Sequence, residues 1–308
     1  MTTLSSPAAL SGVFPVLPTP FDAAGQPDRP ALQALVRYLL RAGVDGMAYP
    51  GVASEVGELG FDERVSLTRL VLAEVAGRVP VIVGASAPDA ETTVRLVDAL
   101  AGTGIGALMV AAPAGVAPTD QAAFFDRLAA ATGDLPLMLQ NVPAPAGAGL
   151  APEVVLQIAQ AVPRVRYVKE ETLPSGQRLS LVLARKPQSL RGVFGGAGGR
   201  YITDELRRGA CGTMPAIELA EVHVAVFAAH RLGDHDRVRH LFMRMLPILN
   251  IQAVFRWSLT KYVLQRRGLI PSRHQRAAGP QLDAQDILDV EAFLSDIRDL
   301  LLPDGALH

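Results

Sequence analysis

The sequence predicts an α/β fold, a (β/α)8 TIM barrel with an appended C-terminal helical region, and three observations carry that prediction. Short apolar runs alternate eight times with stretches of helical spacing. The runs are nearly continuous in apolar residues, as strands of a parallel sheet buried on both faces are. Beyond residue 217 the runs stop and only helical spacing remains. The expected organisation is a disordered N-terminal tail over 1–11, a barrel over 12–217 and a helical region over 218–308.

In chain order, a first strand over 12–17 ends in P-T-P-F at 18–21, and a helix over 28–42 follows through Leu32, Leu35, Val36, Leu39 and Leu40. The second unit pairs a strand over 46–49 with a helix over 62–76, and the third a strand over 79–83 with a helix over 88–101. Strands over 107–111, 135–140, 165–169 and 190–194 lead to helices over 119–131, 152–161, 177–184 and 200–208, and 210–214 is the eighth strand. Pro152-Glu153 opens one helix, and Gly43, Gly77, Gly133 and Gly209 sit where others stop. A doubly wound sheet is the alternative, but no G-x-G-x-x-G follows the first strand. The appended helices are expected over 218–232, over 236–267 with a break at Pro247, and over 283–302, with 271–280 (PSRHQRAAGP) as linker.

Composition narrows the function. Of the residues, 49% are hydrophobic, 19% charged and 5% aromatic, with net charge -1. A chain so balanced, without a basic run longer than Arg266-Arg267, is not expected to bind nucleic acid or an anionic membrane surface. The uncharged runs 99–119 and 135–152 are broken by Gly and Pro, so no membrane span is expected. MTTLSSPAAL has neither a basic region nor a long apolar one, which reads as a tail and not a signal peptide. The single cysteine, Cys211, permits no disulfide within the chain and no thiolate metal site, and a reducing cytoplasm is expected. His235 and His240 are five apart and form no metal pair on one helix face, so no metal or cofactor is expected.

The chemistry centres on 164–172, R-V-R-Y-V-K-E-E-T. Period-2 alternation puts Lys169 on one face with Val165 and Tyr167. A lysine inside a core is desolvated, which favours the neutral amine that forms an imine with a carbonyl. Only three lysines occur, Lys169, Lys186 and Lys261, among 29 basic residues. The alternative is a lysine snorkelling to solvent beside Glu170 and Glu171. In a barrel, Lys169 would share the C-terminal rim with 50–55 after the second strand, 140–143 after the fifth and 195–200 after the seventh. The loop 195–199 reads as a phosphate cradle, as a place where backbone approaches a substrate, or as a turn needing positive φ.

Taken together, P-T-P-F at 18–21, G-x-x-x-E at Gly51 to Glu55, N-V-P at 141–143 and K-E at 169–170 resemble the dihydrodipicolinate synthase / N-acetylneuraminate lyase family of class I aldolases. The resemblance spans nearly the whole chain. It implies that Lys169 forms an imine with pyruvate or another 2-oxo acid, and that the chain is a lyase, an aldolase or hydro-lyase, assembled as a dimer or tetramer. The residues implied at the substrate are Val52, Ala53 and Ser54 at its carboxylate, with Gly196, Ala197 and Met214 around it. Several positions depart from the family. The two hydroxyl residues of its G-[ST]-T-G-E loop are Val52 and Ala53, which leaves backbone amides and Ser54. The usual tyrosine before N-x-P is Gln140, which can orient water but has no useful pKa. Pro145, Ala114 and Gly115 replace an arginine and paired aromatics of the true synthases, so lysine biosynthesis is not expected. Tyr49 is the leading candidate to move protons in place of the tyrosine, against a rim tyrosine that only packs. Tyr201 and Glu171 are further candidates, and a solvated loop acid is the alternative for Glu171. Arg200 is a candidate anchor for a distal carboxylate. The rival class is a family member without turnover that binds a small molecule or serves as a scaffold.

Overall fold

The computed structural model describes residues 9–87 and 89–303. Eight strands, β1 (Gly12–Val13), β2 (Met47–Ala48), β3 (Val81–Gly84), β4 (Ala107–Ala111), β5 (Leu137–Asn141), β6 (Val165–Glu170), β7 (Gly192–Gly195) and β8 (Gly212–Thr213), pair in parallel in the order β1-β8-β7-β6-β5-β4-β3-β2. Val16 closes the ring by bridging to both Ala48 and Ala216. Outside the strands lie α1 (Arg29–Ala42), α2 (Phe61–Val75), α3 (Ala90–Ala99), α4 (Gln121–Ala131), α5 (Pro152–Ala161), α6 (Ser175–Arg185), α7 (Ile202–Arg207) and α8 (Ala220–Arg231). The expected barrel is therefore present. Because α8 packs on α1 and β1, it completes the outer ring with a segment that lies past residue 217. Among the described residues no helix is long and apolar enough to cross a membrane.

The core has two layers. Phe14, Ile82, Met109, Met138, Tyr167 and Phe194 fill the lumen, while a larger set that includes Leu35, Val83, Val110, Leu139 and Val168 packs between strands and helices. The alternation follows the two-residue period of a strand. β6 interrupts that period: Leu137 and Met138 on β5 face Val165 and Tyr167, so Arg166 is the extra residue of a bulge. The expectation that Val165 shares a face with Lys169 is thereby corrected. Val165 faces the helices, and Tyr167 and Lys169 face the lumen. Most of the expected tail, 1–8, lies outside the described residues; Leu10 is buried at the barrel floor, where its N–H donates to the Tyr167 hydroxyl at 2.9 Å.

Beyond the barrel, α9 (His235–Phe255) runs through Pro247, and the chain breaks at Arg256 before α10 (Trp257–Arg266) and α11 (Ala284–Asp296). The expected break at Pro247 is thus misplaced. Proline removes one backbone donor, and the carbonyl that would have received it belongs to Met243, a solvent-exposed residue. A buried ion pair ties these helices to the barrel: Lys261 on α10 donates to Glu55 after β2, and both side chains are fully buried. Glu55 also accepts from the Arg276 and Ala277 amides at 2.7 Å each, and Lys261 donates to the His274 carbonyl at 2.7 Å. Burial pushes the Lys261 ammonium down and Glu55 opposes that shift. Lys261→Met leaves the Glu55 carboxylate buried without its cation, and a loss of about 3–5 kcal/mol is expected in chemical denaturation. The double variant with Glu55→Gln should lose less than the sum of the two single changes.

Candidate active site

At the C-terminal ends of the strands a cavity of about 410 Å³ opens above Lys169. Register puts Gln140 of β5 beside Lys169 of β6, and Phe194 of β7 on its other side. The Lys169 Nζ atom lies 3.1 Å from Oε1 of Glu171, which also accepts from the Ala197 amide at 3.2 Å. Oε2 of Glu171 accepts from Nε2 of Gln140 at 2.7 Å. Burial alone pushes the Glu171 carboxyl up, but the Lys169 cation, the Gln140 amide and the Ala197 N–H outweigh it and hold the group below its ordinary range. Glu171 is therefore a partner of the amine and not a solvated loop acid. Its position depends on Gly196, where a Cβ would meet the Glu171 Cγ at 2.5 Å. Ala197, next to it, takes a positive φ of 50°.

The loop after β2 supplies backbone donors. Val52 and Ala53 line the cavity at the start of a short 3₁₀ turn, Val52–Ser54, and neither amide has an acceptor among the described residues. Two adjacent free amides are a suitable seat for a carboxylate. Ser54 does not share that role: it is fully buried, donates to the Leu17 carbonyl and accepts from the Gly51 amide at 2.8 Å. Its hydroxyl holds the loop in shape. Gly84 on β3 permits the loop to pass, because a Cβ there would come within 1.8 Å of the Pro50 carbonyl.

Of the other expected residues, Ala197 and Met214 line the cavity, whereas Gly196 does not and serves to admit Glu171. Gln140 orients Glu171 instead of water or substrate. Tyr49 is corrected most: it packs between strands and helices, and its phenol is fully buried and 3.0 Å from the Thr19 hydroxyl. Burial pushes its pKa far up, and it does not line the cavity. Tyr201, Arg200 and Pro145 do line it, and Ala114 and Gly115 do not. The roof comes from the appended helices through Gln252, Arg256, Trp257 and Thr260, none of which the sequence singled out. Trp257 Nε1 donates to the Val52 carbonyl at 2.8 Å, which joins roof and floor. Two of the amides that a phosphate would use at 195–199 are taken, that of Ala197 by Glu171 and that of Gly199 by the Gly196 carbonyl. Among the described residues no group of three or more His, Cys, Asp or Glu could hold a metal ion.

A family model described as the dihydrodipicolinate synthetase family matches residues 9–296. The L-2-keto-3-deoxyarabonate dehydratase of Azospirillum brasilense is 29% identical over 310 residues, covering 98% of this chain and 99% of its own. The 4-hydroxy-tetrahydrodipicolinate synthase of Acidobacterium capsulatum is 30% identical over 276 residues, covering 88% and 90%. The crystal structure of YagE, a prophage protein from Escherichia coli K12 in complex with pyruvate, has a TM-score of 0.85 at 25% identity and covers 94% of this chain and 99% of that one.

Because the Lys169 cation is what offsets burial at Glu171, Lys169→Met should raise the Glu171 carboxyl pKa above its ordinary range. A carboxyl NMR titration with Glu171 as the labelled site measures this; a pKa left low in the variant would show that hydrogen bonds suffice without the cation.

Proposed function

This chain belongs to the dihydrodipicolinate synthetase family, a family of lyases, and from that premise we propose that it holds a 2-oxo acid as an imine on Lys169 and uses Glu171 to move the proton. The contact that carries the reading is Lys169 Nζ to Glu171 Oε1 at 3.1 Å in a buried site. Glu171 takes a proton from the ammonium, and the freed amine attacks the 2-oxo carbon. The proton then goes to the carbinolamine oxygen, which leaves as water and gives the iminium. The amides of Val52 and Ala53 hold the substrate carboxylate.

Removal of a C3 proton from the iminium by Glu171 gives the enamine. The nitrogen is then neutral, so the cation that kept Glu171 ionised is gone and burial dominates, which lets Glu171 retain the proton. The same enamine precedes loss of water and follows carbon–carbon cleavage, in which case Glu171 returns the proton to C3. The dehydratase relative and the pyruvate bound to YagE both support this chemistry. The replaced positions Gln140 and Pro145 speak against a dihydrodipicolinate synthase proper. The proposal includes a homo-oligomer, dimer or tetramer, and a reducing cytoplasm. Burial pushes the Cys211 thiol up to about 12 and leaves it unreactive.

Borohydride with pyruvate should add mass irreversibly at Lys169, and solvent deuterium should enter the pyruvate methyl group. Glu171→Gln should slow that exchange by about 10²–10⁴-fold, the range of general acid–base catalysis. Trapping of wild-type protein without any exchange would favour the rival reading of a binder without turnover, and an unmodified Lys169 would sink the imine.

A further inference from the structure

The charges on the cavity wall do not balance. Lys169, Glu171, Arg200 and Arg256 are its charged side chains. Glu171 is matched to Lys169, and no carboxylate among the described residues pairs with Arg200 or Arg256. We propose that these two guanidinium groups form a subsite for a second, terminal carboxylate, so that the preferred substrates are 2-oxo diacids. The inference rests on the imine reading of Lys169 and extends it to the far end of the substrate.

Three further features support it. Arg200 is oriented by the Gln252 side-chain carbonyl, 3.3 Å from Nη1, and Gln252 is itself buried and packed over Gly198. A neutral acceptor holds the guanidinium in place without quenching its charge. Arg256 sits at the break between α9 and α10 with φ 39° and ψ -104°, a backbone conformation disfavoured for a residue with a Cβ. The neighbouring Trp257–Val52 hydrogen bond ties that break to the loop after β2, and Arg256 there lines the cavity. Finally, the cavity of about 410 Å³ is far larger than a three-carbon acid fills.

Carboxylate is favoured over phosphate at this end. The planar guanidinium fork matches either anion, so the surrounding loop makes the difference. The loop amides that would surround a phosphate are committed at Ala197 and Gly199. With one end on the Val52 and Ala53 amides and C2 on Lys169, the remaining chain of the substrate leads to the arginines.

Trapping by borohydride on the full chain provides the test, with 2-oxoadipate and the length-matched monoacid 2-oxohexanoate as probes and pyruvate as control. Wild-type protein should half-saturate with the diacid at a concentration about tenfold or more below that for the monoacid, the fold-change of one charge-assisted hydrogen bond. Arg256→Gln and Arg200→Gln should each shrink that ratio. Arg256→Lys should keep part of it, and added salt should weaken it. Equal half-saturation by the two acids, with pyruvate trapped normally, overturns the subsite and leaves the imine intact. A stronger preference for a phosphonate-terminated 2-oxo acid overturns the carboxylate assignment. An unmodified Lys169 with all probes overturns both readings.

Discussion

A buried ion pair, Glu55 with Lys261, ties the helices beyond the barrel to the loop after β2. Two charges removed from water are unfavourable unless their remaining hydrogen-bonding capacity is met. Here the Arg276 and Ala277 amides and the His274 carbonyl meet it. The pair therefore locks three separate stretches together: the loop after β2, helix α10 and the linker before α11. Phe21 adds to the same joint, with Lys261 at 4.3 Å and Arg276 at 4.5 Å from its ring centre. On the proposed reading, motif residues such as Phe21 and Glu55 act on the substrate only indirectly, through the shape of the loop that carries the free Val52 and Ala53 amides. Thr19 has a similar part, linking the Tyr49 phenol to the Ser54 carbonyl.

For the proposed reaction, the problem within the cavity is where a proton can reside. A buried carboxylate beside a lysine is stabilised as long as the lysine is charged, and it becomes a better acid holder once the nitrogen is neutral. That reversal couples the state of the nitrogen to the proton affinity of Glu171 without a second titrating group. Gln140 and the Ala197 amide keep the carboxylate in line, and Gly196 gives it room.

Chemistry and recognition are built by different parts of the chain. Strand ends and barrel loops supply the amine, the carboxylate and the amides, while the helices after residue 232 supply most of the roof. The Trp257 hydrogen bond and the Glu55–Lys261 pair keep the two in register. On the proposed reading, substitutions in the roof alter recognition of the distal end of the substrate while the reacting end stays the same, which is how barrel scaffolds accommodate many substrates.

The sequence by itself determined the barrel, its eight units and the placement of Lys169 at the end of the sixth strand, because apolar periodicity and helix-end signals are local and repeat along the chain. Tertiary structure alone decided the direction of individual side chains. The bulge at Arg166 shifts the parity of β6, so Val165 and Lys169 part company although the spacing puts them together. Tyr49 turns toward the helices because the register of β2, not its closeness in sequence to the loop, sets its face. Glu171 is marked in the sequence as one of two acids after a lysine and as a further candidate to move protons, but its contacts with Gln140 and Ala197, 31 and 26 residues away, come from packing. The roof was illegible for the same reason, since Arg256 enters through a chain break with no proline or glycine to mark it. A period can be read from neighbours in sequence, whereas a site is a meeting of distant segments, and only their packing brings them together.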